Sequence, residues 1–410
     1  MVERGGLDCG RRRAPNRAVR RWATAPLVIA LSLAFVGAPR AQSVQVSAST
    51  SILDQPSVRE IASVGMDHLY DLRFAEASVS FDAIDREFPR HPIGPFLKSL
   101  TTWWTILLDL SDESHDKEFF DSMEEVIKRC DRLLRNDPQD VDALFFKGAA
   151  LGFRGRLRSN RGDWFKAALD GKKAMDYVLD VADLDPGNHD YVFGKGIYDY
   201  FAVVVPEEHP FVKPVMGLFP RGNRQRGLDL LERTASQGHY VQTEAVYFLL
   251  QINYLYERDF AKCVEYATWL RERYPDNSYF HAIEGRIYAQ WGRWTQSAEI
   301  FERVLERYSS GDAGYNAAIA EQAAYYLARE RMVRRDFEAA LDYLLQVEAL
   351  SARTGADTYY KVLGRLRQGM ALDALGQRDP AVQRYREVLR MKDWSEAHSR
   401  ARGYLDRPYR

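Results

Sequence analysis

Gln251-Ile-Asn-Tyr254 and Gly285-Arg-Ile-Tyr288 stand 34 residues apart, and the second is followed by Ser297, Phe301 and Val304. A small residue at a fixed place on a helix lets a neighbouring backbone approach, and bulky residues beside it fill the space that remains. The arrangement can be followed outward in both directions. Upstream, Gly65 is followed by Ala77 twelve residues on, Phe81 sixteen on and Pro89 twenty-four on. Downstream, Ala328 comes with Ala340, Leu344 and Val347, and Gly369 with Ala381, Tyr385 and Val388. Apolar residues recur at i, i+3, i+4 and i+7, and no sustained alternation of period two appears. The expectation is an all-α chain, an α-α superhelix of about eight helix pairs closed by a C-terminal capping segment over 396–410.

The repeat spacing is regular only from Val241 to about Gly311. This divides the chain into a leader (1–41), a polar linker (42–57), irregular repeats (58–240), regular repeats (241–395) and the cap. Two insertions are expected within the irregular part. Ala174 lies 26 residues after Gly148 instead of twelve, which implies about 14 extra residues near 154–163. Pro206, Pro210, Pro214 and Pro220 exclude a regular helix across 206–222. A loop of that length in a repeat array is a functional segment or a packed excursion.

The leader has a chemistry of its own. Arg11, Arg12, Arg13, Arg17, Arg20 and Arg21 precede an uncharged stretch, Trp22 to Pro39, with small residues at Ala38 and Ala41. Basic, apolar and small-residue regions in that order read as a secretory signal peptide cleaved after Ala38 or Ala41. The alternative is a retained anchor, because about 18 apolar residues just span a bilayer. Residues 1–41 hold eight Arg and two acids, so their loss from 57 basic and 58 acidic residues leaves a formal net charge of −7. A mildly acidic chain argues against nucleic acid as a partner. The expected address is periplasmic or extracellular. Cys130 and Cys263 fall on apolar helix faces and read as buried free thiols.

No constellation for chemistry stands out. None of the eight His pairs with another at i, i+4, and no phosphate-cradling glycine loop or nucleophile elbow occurs. No catalytic, cofactor or metal residue is therefore assigned. Asp183 to Asp190 resembles a calcium loop superficially, but Asp185-Pro-Gly-Asn188 is what an inter-repeat turn requires. Three arginine clusters (Arg154/156/158/161, Arg221/224/226 and Arg329/331/334/335) read as solvated faces interleaved with acids. The first two adjoin the insertions, which keeps an anion or acidic-partner site in view.

The first helix of each pair is expected to line a concave groove. Helical phase then points Phe248 and Ile252, Tyr279 and Arg286, Tyr325 and Arg329, and Leu366 and Met370 inward. Such a stripe suits a peptide or helix laid into a groove. The competing possibility is that the C-terminal half curls and covers the stripe itself.

Residues 58–395 resemble the tetratricopeptide-repeat superfamily on the Gly, Tyr, Ala, Phe and Pro positions given above. A more local resemblance covers about 190–255: Gly194, Gly196, Tyr198, Gly222, Asn223, Gly227, Leu231 and Leu249 are similar to the eukaryotic repeat family containing the inclusion body clearance protein. The superfamily resemblance implies an extended binding solenoid without chemistry of its own. Members that clamp carboxylate tails project Lys and Asn into the groove. The corresponding positions here hold Ala62 and Met66, Phe145 and Ala149, and Phe248 and Ile252. The resulting expectation is an exported, non-catalytic protein-interaction scaffold that holds a protein or peptide partner in the cell envelope, without cofactor. Two alternatives stand beside it: a glycan- or peptidoglycan-binding subunit using exposed rings such as Trp291 and Trp294, and a purely structural repeat protein.

Overall fold

Asx and Thr side chains punctuate the chain. Asp140, Asp163, Asn223, Asp259, Asn277, Asn316, Asp336 and Thr358 each accept a backbone N–H at the start of the helix that follows. Such caps satisfy donors that a helix cannot pair internally. The computed structural model describes residues 51–208 and 220–410. The leader, most of the linker and residues 209–219 of the second insertion lie outside the described residues.

The described residues form helices joined by short turns, paired antiparallel in chain order. Repeat 1 is α1 (Pro56–Tyr70) with α2 (Phe74–Glu87), and repeat 2 is α3 (Ile93–Leu108) with α4 (Asp116–Asn136). Repeat 3 is α5 (Val141–Asn160) with α6 (Trp164–Leu184), and repeat 4 is α7 (Phe193–Glu208) with α8 (Arg224–Gln237). Repeat 5 is α9 (Gln242–Ile252), continued by a π turn over Asn253–Glu257, with α10 (Phe260–Arg273). Repeat 6 is α11 (Ser278–Trp291) with α12 (Trp294–Ser309), and repeat 7 is α13 (Ala317–Val333) with α14 (Phe337–Ser351). Repeat 8 is α15 (Tyr359–Ala374) with α16 (Arg378–Val388), and α17 (Ala397–Asp406) caps the end. The cap is tied down by Arg378, which donates to the carbonyls of Tyr404 at 2.9 Å and Leu405 at 2.6 Å.

One packing rule holds the pairs together. A Cβ on Gly65 would come within 2.5 Å of the Phe81 ring, one on Gly285 within 2.7 Å of Phe301, and one on Gly369 within 2.5 Å of Tyr385. In each case the aromatic ring lies against bare backbone, as tetratricopeptide-like helix pairs require. The Ser297 hydroxyl adds a hydrogen bond to the Gly285 carbonyl at 2.9 Å. Cys130 and Cys263 are free and buried in the same cores.

The extra residues near 154–163 do not form a loop. Helix α5 continues through Asn160 and α6 begins at Trp164, so the added length is built into both helices. About 14 residues shared between two antiparallel helices adds roughly two turns to each. A Cβ on Gly148 would accordingly come within 3.1 Å of Val178.

The superhelix closes on itself. The Trp104 ring of repeat 2 meets Phe280 of repeat 6 edge-on, with centroids 5.4 Å apart. Arg353, from repeat 7, pairs with Asp109 after α3 at 3.1 Å and with Glu321. Asn277 bridges the seam: its Oδ1 caps α11 through the Phe280 N–H at 3.0 Å, while its Nδ2 donates to the Tyr70 carbonyl at 2.6 Å. Asn277→Ser preserves the cap but strands a buried carbonyl. It is expected to lower stability by about 1 kcal/mol. A variant whose thermal unfolding matches the wild type would show that the seam adds nothing.

Candidate ligand site: a partly enclosed lumen

Closure turns the concave face into a partly enclosed cavity of about 930 Å³. The first helices of the pairs supply most of its wall, because those helices face inward. Repeats 2 and 3 contribute an apolar end with Phe96, Trp103, Trp104, Phe145, Phe146 and Phe153. Repeats 5 to 8 contribute an end rich in tyrosine and arginine: Tyr254, Tyr279, Arg286, Tyr325, Tyr326, Arg329, Tyr359, Tyr360 and Arg367. The exposed lining residues are Leu110, Arg258 and Glu396, at or just beyond helix ends, and Gly152, within α5.

The charge of this wall is one-sided. Among the described residues it holds six arginines (Arg156, Arg258, Arg286, Arg329, Arg367 and Arg400) and two acids, Glu244 and Glu396. Aromatic faces take the place of carboxylates as their neighbours. The Arg156 guanidinium lies 5.1 Å from the Trp103 ring and 5.8 Å from that of Tyr247, linking repeats 2 and 5 across the lumen. Arg329 lies 5.3 Å from Tyr326 and 5.0 Å from Trp294. Arg367 lies 5.2 Å from Tyr325, and Arg286 lies 5.9 Å from Tyr279. Such contacts soften the cost of holding a cation away from water but supply no hydrogen-bond acceptor for its N–H groups. The Nε atoms of Arg286 and Arg367 are buried and have no hydrogen-bond partner. Burial, with Arg329 and Arg400 nearby, pulls the Arg367 guanidinium below its ordinary value. Burial also pushes the Glu244 carboxyl up to about 7.

Of the residues placed in the groove from sequence, Phe248, Tyr279, Arg286, Tyr325 and Arg329 line the lumen, whereas Ile252 does not. Ile252 is fully buried with Tyr200, Phe201, Leu231 and Leu249. The inward stripe of α9 is centred on Glu244, Tyr247 and Gln251, which leaves Ile252 at its margin, facing repeat 4. Leu366 and Met370 likewise belong to the core of the last repeats, and Leu363 and Arg367 take their place in the wall.

The first arginine cluster is not a solvated face, whereas Arg221, Arg224, Arg226, Arg334 and Arg335 are exposed as expected. Arg154 and Arg158 converge on buried Asp170 at 2.6 and 2.5 Å, and Arg161 reaches Asp116 at 2.6 Å. Arg226 holds buried Asp199 at 2.6 Å, and Arg224 holds Glu257 at 2.7 Å. Arg331 and Arg334 both hold Glu330. Asp190, from the calcium-loop look-alike, accepts the N–H groups of His239, Tyr240 and Val241 at 2.9–3.0 Å and so fixes the start of repeat 5. Trp291 stacks on Phe260, centroids 6.2 Å apart, while Trp294 lies under Arg329. The two rings are engaged separately between repeats.

No protein-family model and no curated protein sequence matches the chain. Similar solved structures include yeast Tom70, 11% identical over 86% of this chain and 82% of that one, with a TM-score of 0.43. Another is a human IFIT1 dimer with PPP-AAAA, 12% identical over 78% and 69%, with a TM-score of 0.41. A third is the C-terminal part of a TPR repeat-containing protein from Cytophaga hutchinsonii, 16% identical over 72% and 96%, with a TM-score of 0.33. The helix pairs themselves, with their glycine–aromatic contacts and sequential stacking, define this chain as a tetratricopeptide-like α-α superhelix, an architecture for binding.

Proposed function

We propose that the chain is an exported, non-catalytic binding scaffold of the cell envelope that encloses its ligand in the lumen, leaving the outer helices for protein partners. The enclosure carries this reading. A helix laid along an open groove needs an uncovered apolar stripe, and repeats 1 and 2 cover the stripe of repeats 5 to 7. A cavity of about 930 Å³ falls within the roughly 300–1,000 Å³ range typical of ligand pockets with apolar walls and a few polar groups. Export rests on the basic, apolar and small-residue order of residues 1–41.

The test is native mass spectrometry of protein purified from envelope fractions. Gly152 lines the lumen, and a Cβ placed there meets nothing within 4 Å, so Gly152→Trp can start a bulky side chain into open space. Wild type is expected to carry an added mass that is released on unfolding and is absent from Gly152→Trp. The same spectra should show a chain processed after Ala38 or Ala41. Wild type at its bare chain mass, or an added mass that the variant retains, would overturn the luminal reading.

A further inference from the structure

We infer that Arg286, Arg329 and Arg367 form the seat for the oxyanion of an amphipathic ligand, a carboxylate or phosphate carried on an apolar body that lies against the aromatic wall of repeats 2 and 3. The inference rests on the luminal reading above and names the ligand's chemistry. Three observations on the wall converge on it.

The first is unmet hydrogen bonding. Two buried guanidinium Nε groups, on Arg286 and Arg367, lack an acceptor. Buried donors are almost always satisfied, so an orphaned pair in a cavity wall marks the place of an absent acceptor. The second is unmet charge. None of the three arginines makes an ion pair among the described residues, whereas Arg154, Arg158, Arg161, Arg224 and Arg226 all do. All three influence one phenol, that of Tyr326, so they share one end of the lumen. Guanidinium groups match the geometry of carboxylate and phosphate, and a desolvated site strengthens each bond made there. The third is the opposite end. Phe96, Trp103, Phe146 and Phe153 form a continuous aromatic surface with ring centroids 5.3–6.0 Å apart, with a single guanidinium, that of Arg156, at its edge. A fully polar anion leaves that end unused, and a neutral apolar molecule leaves the arginines unpaired.

Isothermal titration with defined probes tests this: dodecyl phosphate, dodecanoate, dodecanol, dodecyltrimethylammonium and inorganic phosphate, each below its micellar concentration. The two anionic amphiphiles are expected to bind, and at least one more than tenfold tighter than dodecanol and inorganic phosphate. Their relative strength identifies phosphate or carboxylate as the preferred head. Arg286→Met and Arg367→Met are each expected to weaken that binding about tenfold. Removing an unpaired buried charge should leave the thermal midpoint of the ligand-free protein unchanged or higher, which a purely structural arginine would not allow. Binding of dodecanol or the cationic amphiphile as tight as that of the anions would overturn the anion seat. Equal binding of inorganic phosphate and dodecyl phosphate would overturn the apolar body. If none of the probes binds while wild type still carries a luminal mass that Gly152→Trp loses, this inference falls and the luminal reading stands.

Discussion

Replacing Phe301 with alanine is expected to cost about 3–5 kcal/mol, the range for emptying a fully buried aromatic site. The ring is 0% exposed, faces the bare backbone of Gly285 and stacks on Tyr326 with centroids 4.9 Å apart and planes 8° from parallel. The site cannot collapse to fill the hole, because the residue opposite has no side chain to move. The ring also joins α11 and α12 to α13, so its loss uncouples repeats 6 and 7. In a solenoid each repeat is held by its neighbours, and here repeat 6 also holds the seam to repeats 1 and 2 through Asn277 and Phe280. A double-mutant cycle by urea unfolding sharpens the result. In the wild-type background Gly285→Ala overpacks the ring and should cost about 1–3 kcal/mol. In the Phe301→Ala background the added methyl meets space, and alanine's better helix propensity makes the same change neutral or favourable by up to about 1 kcal/mol. Equal cost in both backgrounds, or a loss below about 1 kcal/mol for Phe301→Ala, would refute the close-packing account.

Local packing was legible in the sequence because it is set within one helix pair. Gly65 and Phe81, Gly285 and Phe301, and Gly369 and Tyr385 sit within one repeat of each other. The surplus after Gly148 was legible as a number of residues but not as a shape, since seven more residues on each of two helices and a 14-residue loop shift the register equally. Closure was not legible. It arises from small rotations between repeats summed around the superhelix, and it joins groups such as Asn277 and the Tyr70 carbonyl that lie 207 residues apart.

The lumen was partly legible. Arg286 and Arg329 follow directly on Gly285 and Ala328, the small residues that set the repeat register, so phase alone places them. Arg367 comes two residues before Gly369 and reaches the same face one turn earlier than the register position, Met370. Arg156 was hidden inside a run of arginines, yet the run contains its own signal. Arg154, Arg158 and Arg161 are spaced i, i+4 and i+7, one face of α5, and pair with acids on α4 and α6. Arg156, two residues from Arg154, falls on the opposite face and looks into the lumen. Reading the cluster by helical phase separates the structural arginines from the luminal one.

Glu244 supplies a prediction that tests the lumen as an electrostatic environment. It faces the Tyr70 hydroxyl on α1, Arg156 on α5 and, further off, Asp190, and burial raises its carboxyl from 4.5 to about 7. The nearby Tyr70 hydroxyl and Arg156 act the other way but do not restore the ordinary value. The folded value lies above the unfolded one, so folding favours the protonated acid. The associated stability is fully present below about pH 4.5, is lost as the pH rises towards 7, and stays lost above it. A rise of this size corresponds to roughly 3 kcal/mol, which solvent entering the lumen reduces to about 2. Glu244→Gln keeps the shape and removes the ionisation. The variant is therefore expected to be more stable than wild type by about 2 kcal/mol at pH 8, with less than half that gain at pH 5. Thermal or urea unfolding of both proteins across this range measures the difference directly. A gain that is flat with pH, or largest in acid, would mean that Glu244 is ionised within the fold, as a carboxylate neutralised by Arg156 would be. The wall would then hold a standing countercharge, and the excess of arginine facing the lumen would be smaller by one.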